Sequence, residues 1–366
     1  MTPLKDRLIR QIKAEGPITI SDYMAQCLLD PVMGYYPTRD PLGSDGDFIT
    51  APEISQMFGE VLGLWAIQSW RDMGAPASIQ LIELGPGRGI MMSDILRTAR
   101  LDTAFFNALS VTLIEASAAL EAVQGRTLAN CGAPITWADD LFRIPAGPSL
   151  IIGNEFLDCL PIRQFIQTDP FAGRAGWKER MIMLDDNGRL AFGISPEPAS
   201  KAVQALLPEG QSSARLDDLL EVCPAHALIM DAIGHRFNNA AGRALFIDYG
   251  PHITDFGDSL QALKQHKKTG VFAAPGDCDL TARVDFNALI DTAKAAELRV
   301  LGPVTQRALL SKLGIEMRAI ALTKSHPDGK SKILRQLHRL MDEEEMGSLF
   351  KAVCFGSTDM ESALGF

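Results

Sequence analysis

No C-x-x-C pair occurs in the sequence; its six cysteines, Cys27, Cys131, Cys159, Cys223, Cys278 and Cys354, are scattered. That spacing lacks the paired-thiol signature of zinc and dithiol redox sites, so the six read as reduced thiols and no metal ligand set is expected. No apolar run approaches the ~20 residues needed to span a bilayer, which argues against an integral membrane segment. The stretch from Met1 to Glu15 mixes charges through an amphipathic helix and has no signal-peptide core, so the expected compartment is the cytoplasm. Positive charge is short as well. Lys and Arg number 35 against 45 Asp and Glu, a formal net charge of −10, which disfavours an extended nucleic-acid backbone as partner. There are no repeats, and the one biased segment, Asp342 to Glu345, reads as a solvated helix face.

What is present is a chain of 366 residues, 46% hydrophobic, long enough for two units or one large decorated one. Its organising stretch is Ile79-Gln80-Leu81-Ile82-Glu83-Leu84-Gly85-Pro86-Gly87-Arg88-Gly89-Ile90. A short apolar run entering alternating glycines, followed by the helical composition of Ile90 to Ala99, reads as strand, glycine turn and helix. Gly85, Gly87 and Gly89 permit positive φ and remove the Cβ atoms that would hold a ligand off the backbone. A dinucleotide fingerprint would need glycine at position 90, where Ile90 stands. The remaining G-x-G-x-G suits S-adenosyl-L-methionine better than NAD, because no pyrophosphate has to sit on the helix N-terminus.

Around this loop the chain predicts an α/β fold. Helices are expected over 4–14 and 19–29, then a long irregular run from Gly34 to Glu53, rich in turn formers, aromatics and charge. Loops of that length are functional or disordered, and the aromatics Tyr35, Tyr36 and Phe48 argue for order. With Asp47, Thr50 and Glu53 they are candidates for the substrate side; an ordered loop without a ligand is the alternative. A helix follows from Ile54 to Met73. Strands are predicted at 110–115, 135–137, 149–153, 244–250, 299–305 and 349–355, with helices at 118–129, 284–295 and through most of 306–340. Glu115, closing its strand, has the placement for both ribose hydroxyls; a solvated strand-end acid is the alternative. Asp139 or Asp140 could bond an adenine amino group while Leu141 or Phe142 covers the ring, or either acid could cap a turn. Asn154 and Glu155 are delivered at the end of the 149–153 strand into the crevice of the glycine loop.

From about 163 to 242 the α/β rhythm breaks. Strand-like alternation at 163–168 and 179–195, with Asp185-Asp186-Asn187-Gly188 as a hairpin turn, leads to a polar stretch and a helix containing Glu221, Ile229 and Phe237. This insertion is expected to wall a substrate cleft. The run from Pro251 to Thr281, after Tyr249, reads as irregular and carries Asp258 and His266. The expected division is an N-terminal unit, 1–78, and a main domain, 79–366.

Methyl transfer from a sulfonium is an in-line displacement that mainly needs alignment and exclusion of water. A guanidinium acceptor is a poor nucleophile with a pKa above ~12, so carboxylates must orient it and draw charge from the attacking nitrogen. Glu155 and Asp158 are the candidates, with Asp47, Glu53 and Asp258 as supports; a helix cap is the alternative for Asp158.

These residues, with the block from Pro31 to Glu60, the loop from Glu83 to Gly89, Gly153 to Pro161 and Asp279-Leu280-Thr281-Ala282-Arg283-Val284-Asp285-Phe286, make the chain resemble the MidA-like family of S-adenosylmethionine-dependent methyltransferases over nearly its whole length. That family includes an arginine methyltransferase that acts as an assembly factor for respiratory complex I. The resemblance implies a class I methyltransferase fold with a seven-stranded, mostly parallel, Rossmann-like sheet and a cofactor set of Glu83, Gly85, Gly87, Gly89, Glu115, Asp139, Asp140 and Asn154. It also implies dimethylation of an arginine on a protein substrate, a quinone-proximal complex I subunit; Tyr249 and His266 are further candidates for the substrate side. Thr254-Asp255-Phe256-Gly257-Asp258-Ser259-Leu260 departs from the usual motif, which leaves the role of Asp258 open. The competing readings are an assembly chaperone without chemistry, a small-molecule methyltransferase and, disfavoured by Ile90, an NAD-dependent dehydrogenase.

Overall fold

A computed structural model describes residues 2–38, 49–207 and 214–366. Asp47 and Phe48 lie outside the described residues. The central sheet has seven strands: β1 (Ile79–Leu84), β2 (Leu109–Ile114), β3 (Ile135–Ala138), β4 (Ser149–Asn154), β5 (Gly242–Tyr249), β6 (Arg299–Thr305) and β7 (Phe350–Gly356). Their order is β6-β7-β5-β4-β1-β2-β3. Only β7 runs against its neighbours; the other contacts in the sheet are parallel. β4 and most of β1 and β5 are buried along their length, which is why they read as near-continuous apolar runs rather than alternating ones. The chain steps from β1 outward to β2 and β3, then returns to enter β4 on the other side of β1. Such a reversal opens a crevice beyond the carboxyl ends of β1 and β4.

One face of the sheet is covered by helices Gln56–Asp72 and Ile90–Ala99. They approach so closely that a Cβ at Gly59 would stand 2.6 Å from the Asp94 Cβ, and one at Gly63 2.6 Å from the Thr98 Cβ. Helix Gln56–Asp72, grouped by sequence with the N-terminal unit, is therefore part of the central core. The other face is packed by helices Ala225–Phe237 and Phe286–Ala295 through Met230, Ile233, Phe237 and Leu289.

A second layer has its own core. Strands Arg163–Gln167, Trp177–Leu184, Leu190–Ile194 and Leu219–Val222 form an antiparallel sheet, to which Ile18–Thr19 adds an edge opposite Ile182 and Met181. The run from Pro251 to Thr281 is not irregular throughout. It contains a three-stranded sheet of Gln261–Lys264, Lys267–Thr269 and Asp279–Thr281. Helices Pro3–Glu15 and Ile20–Leu29 pack against both, with Leu8, Tyr23, Ile182 and Leu280 fully buried together. Two sequence expectations change here. Glu221 lies on a strand rather than on a helix, and the inserted sheet ends at Val222, because the helix starting at Ala225 belongs to the central layers.

Candidate active site

A cavity of about 320 Å³ occupies the crevice at the carboxyl ends of β1 to β4. Glu83, Gly85 and Gly87 line it from β1, Glu115 from β2, Asp139 from β3, and Asn154 and Glu155 from β4. Tyr36, Thr50 and Glu53 close it from the N-terminal side. Sequence neighbours are brought here by the sheet register, and distant ones by the second layer: the Ser117 hydroxyl donates to the Tyr36 carbonyl at 3.0 Å, which ties the N-terminal segment to the end of β2.

The glycine loop does what its composition predicts. Gly85, Gly87 and Gly89 all have positive φ, at 62°, 54° and 77°. Gly85 carries a second constraint, because a Cβ there would meet the Phe156 ring at 2.9 Å. Gly89 caps helix Ile90–Ala99 rather than lining the cavity.

The cavity presents acceptors in need of donors. Glu83 is buried, its Oε2 has no hydrogen-bond partner among the described residues, and burial pushes its pKa well above the usual carboxylate range. Asn154 Oδ1 is likewise unpartnered. Glu115 is pre-oriented: Oε1 accepts from the Ser117 backbone at 2.8 Å and Oε2 from Gln124 Nε2 at 2.9 Å. An ionised carboxylate has about four lone-pair sites, so both oxygens retain capacity for hydroxyl donors. Asp139 lines the cavity while pairing with Arg143 at 3.1 Å, whereas Asp140 caps the turn Leu141–Arg143 and does not line it. Leu141 and Phe142 are also outside the lining, and Phe142 is exposed. An ammonium and a vicinal diol would satisfy the acceptors that remain, so the residues fit the polar groups of S-adenosyl-L-methionine.

Glu155 stands in the left-handed region, φ 49°, a conformation disfavoured for a residue with a Cβ. The turn is held from β5. Asp248 Oδ2 accepts the backbone N–H groups of Phe156, Leu157 and Asp158 at 3.1, 2.8 and 3.3 Å, and Oδ1 accepts that of Tyr249 at 2.9 Å. The Glu155 carboxylate accepts from the Ala51 backbone at 2.8 Å and from Asn154 Nδ2 at 3.0 Å. Burial raises its pKa to about 7, despite those bonds. Asp158 sits behind it, buried and raised well above the usual range by desolvation and by the charges of Asp248 and Asp279. Burial raises Asp248 as well, to about 7, against the pull of its four backbone donors; those donors make Asp248 the one of the pair that ionises first and leave the proton on Asp158. Asp279 accepts from the Tyr36 hydroxyl at 2.9 Å.

Asp248 and Asp279 had no role assigned from sequence. Asp248 is an acid at the carboxyl end of an apolar strand, as Glu115 is, and that shared signal could have found it; Asp279 reaches the cluster only through the second layer. Other predicted residues lie elsewhere. Asp258 does not line the cavity: it pairs with Arg180 at 2.7 Å and accepts from Gln164 at 2.9 Å on the inserted sheet. His266 is at the exposed turn between Gln261–Lys264 and Lys267–Thr269. Asp158 is adjacent to the cavity but outside its lining, and Tyr35 is buried edge-on to Tyr36. The Tyr249 hydroxyl and the Thr281 hydroxyl lie 2.9 Å apart.

This strand order, with a strand, glycine turn and helix at its switch point, defines a class I methyltransferase. The family described as "Putative S-adenosyl-L-methionine-dependent methyltransferase" matches residues 61–304. The chain belongs to this family, is an S-adenosylmethionine-dependent methyltransferase, and bears out the MidA-like resemblance. "Protein arginine methyltransferase NDUFAF7, mitochondrial" of Homo sapiens is 36% identical over 96% of this chain and 82% of its own length. Its Xenopus tropicalis counterpart is 36% identical over 95% and 84%. A structure from Burkholderia thailandensis solved with S-adenosyl-homocysteine superposes with a TM-score of 0.85 at 26% identity, covering 99% of this chain and 93% of that one. Among the described residues, no helix is long and apolar enough to cross a membrane.

Proposed function

We propose that the protein methylates an arginine side chain of a protein, and that its acceptor is a quinone-proximal subunit of respiratory complex I. The arginine reading is supported by the relatives named as protein arginine methyltransferases; the complex I subunit rests on the family resemblance alone. The observation that carries the chemistry is Glu155, a carboxylate aimed into the cofactor cavity by a strained turn and fixed there by Ala51 and Asn154. A guanidinium presents five donors in a planar fork, and a preset carboxylate is its natural partner.

In this reading Glu83 and Asn154 hold the ammonium end of the cofactor, Glu115 its ribose hydroxyls and Asp139 its adenine amino group. When bound, S-adenosylmethionine supplies an electrophilic methyl group on sulfur. Glu155, ionised, bonds the acceptor guanidinium, orients one nitrogen and takes the proton that this nitrogen loses on methylation. Asp248 fixes the turn that carries Glu155, while Tyr36 and Glu53 close the cavity against water. Asp47 and Phe48 remain candidates for the acceptor side. No disulfide joins the six cysteines, which suits a reducing compartment, such as the cytoplasm.

The test is to incubate the purified protein with methyl-labelled S-adenosylmethionine and that complex I subunit, hydrolyse the product and separate the amino acids. Labelled methylarginine is expected. Label confined to small molecules, or bound cofactor with no transfer, contradicts the reading; the latter favours a chaperone that retains only the fold.

A further inference from the structure

Beyond the segment formed by Leu160, Pro161 and Ile162 lies a second, larger groove of about 710 Å³. Leu160 and Pro161 line the cofactor cavity, and Ile162 lines the groove, so the two share a wall. Pro251, two residues beyond the end of β5, marks the same carboxyl edge of the sheet. From there the groove follows helix Phe286–Ala295 from Ala288 to Ala295, with the start of helix Ala225–Phe237 opposite and Leu206 and Leu207 of the inserted region over it. Nothing in the methyl-transfer chemistry uses it.

His226 lies in this wall. It is 6% exposed, and its Nε2 has no hydrogen-bond partner among the described residues. Burial drives the pKa down to about 4, so the ring is neutral, and a buried polar atom without a partner calls for one. The surroundings fit a polypeptide. Ile162, Leu206, Leu207 and Val222 give the groove an apolar stretch beside its charged residues, the mixture that an apolar anchor with polar neighbours fits. Charge favours a basic partner. Arg283 is already paired with Asp255 at 3.2 Å, which leaves Arg174 against Glu221, Asp285 and Asp291. Glu221 is engaged by Ser259 and Gln164, Asp285 caps its helix and Asp291 makes an exposed pair with Lys294, so the surplus belongs to the groove as a whole.

We propose that this groove docks an extended segment of the protein substrate, with an apolar anchor residue flanked by lysine or arginine, while the target side chain reaches into the cofactor cavity next door. The inference rests on the protein-substrate reading above. It explains why a methyltransferase sheet carries an inserted layer: Leu206, Leu207 and Val222 of that layer build one side of the groove.

Ala227 and Asp291 are both exposed, so Ala227→Trp fills the groove and Asp291→Lys cancels the acidic surplus of its lining without disturbing the core. The quinone-proximal complex I subunit is titrated into the full-length protein saturated with S-adenosylhomocysteine, which permits binding without turnover. Both variants are expected to weaken the subunit's Kd by about tenfold or more while leaving cofactor affinity unchanged. Under turnover KM rises and kcat stays within about twofold. Wild-type affinity in both variants overturns the docking assignment alone. If the unaltered protein binds cofactor but not the subunit, the substrate reading falls and the docking assignment with it. A dimer of this chain that Ala227→Trp breaks would give the groove to a second copy instead.

Discussion

In the proposed reading Glu155 carries the acceptor chemistry in one carboxyl group whose environment opposes its ionisation. Burial and the neighbouring Asp248 charge hold its pKa at about 7, against 4.5 for an ordinary glutamate. The folded protein therefore binds this proton more tightly than the unfolded chain does. Between the two values stability falls as pH rises, because the unfolded state ionises freely and the folded state resists. Activity runs the other way, since only the ionised carboxylate can orient a guanidinium. We expect kcat/KM to climb with pH through an apparent pKa near 7, and urea unfolding to give lower stability at pH 7.5 than at pH 5.5. Glu155→Gln should reduce the stability difference and leave the share that belongs to Asp248 and Asp94, whose pKa values burial raises to about 7 and about 6. A kcat/KM profile without an acid limb in that range would remove Glu155 from the acceptor's charge balance. Glu155 and Asn154 were recoverable from sequence because they follow an apolar run directly. Asp258 was misplaced because its partners, Arg180 and Gln164, come from strands that only the fold brings beside it.

Among the elements, the glycine turn is constrained both by its backbone conformation and by its packing. Gly85 needs φ 62° and also faces the ring of Phe156, whose backbone N–H donates to Asp248. Gly85→Ala is thus expected to cost about 1–2 kcal/mol from the backbone conformation alone. It should also push Phe156 and the Glu155 turn away from β1, weakening cofactor binding. Urea denaturation with cofactor titration checks both; an unchanged unfolding midpoint would show that the turn relaxes freely. The strands of the central sheet were legible because their apolar runs are long and end in turn formers. The three strands between Gln261 and Thr281 were not, being three or four residues each, at least half polar, and stabilised by the N-terminal helices rather than by their own pattern. Glu221 looked helical because the real helix starts four residues later.

At the scale of the molecule, two cores meet at the cavity. The N-terminal helices, the inserted sheet and the 261–281 sheet share one, and the Tyr23 hydroxyl donates to the Val271 carbonyl at 2.7 Å across it. This grouping cuts across the division into 1–78 and 79–366, because residues far apart in sequence close a common core that no local pattern announces. Tyr23→Ala should cost roughly 3–5 kcal/mol, as loss of a buried aromatic does. If the two cores fold as one, the whole urea transition shifts together; a separate early phase would mean that the second layer melts alone. Tyr36 links that layer to the acids through Asp279, so the acceptor side of the cavity depends on both cores.

Single-turnover methyl transfer tests the central claim most directly. Wild-type protein and Glu155→Gln, each loaded with labelled S-adenosylmethionine to the same measured occupancy, are mixed with the quinone-proximal complex I subunit, and labelled arginine is followed by mass spectrometry. The account predicts equal cofactor binding and a rate about 100-fold or more lower in the variant. Transfer by Glu155→Gln at the wild-type rate, or a wild-type protein that labels no arginine, would contradict it.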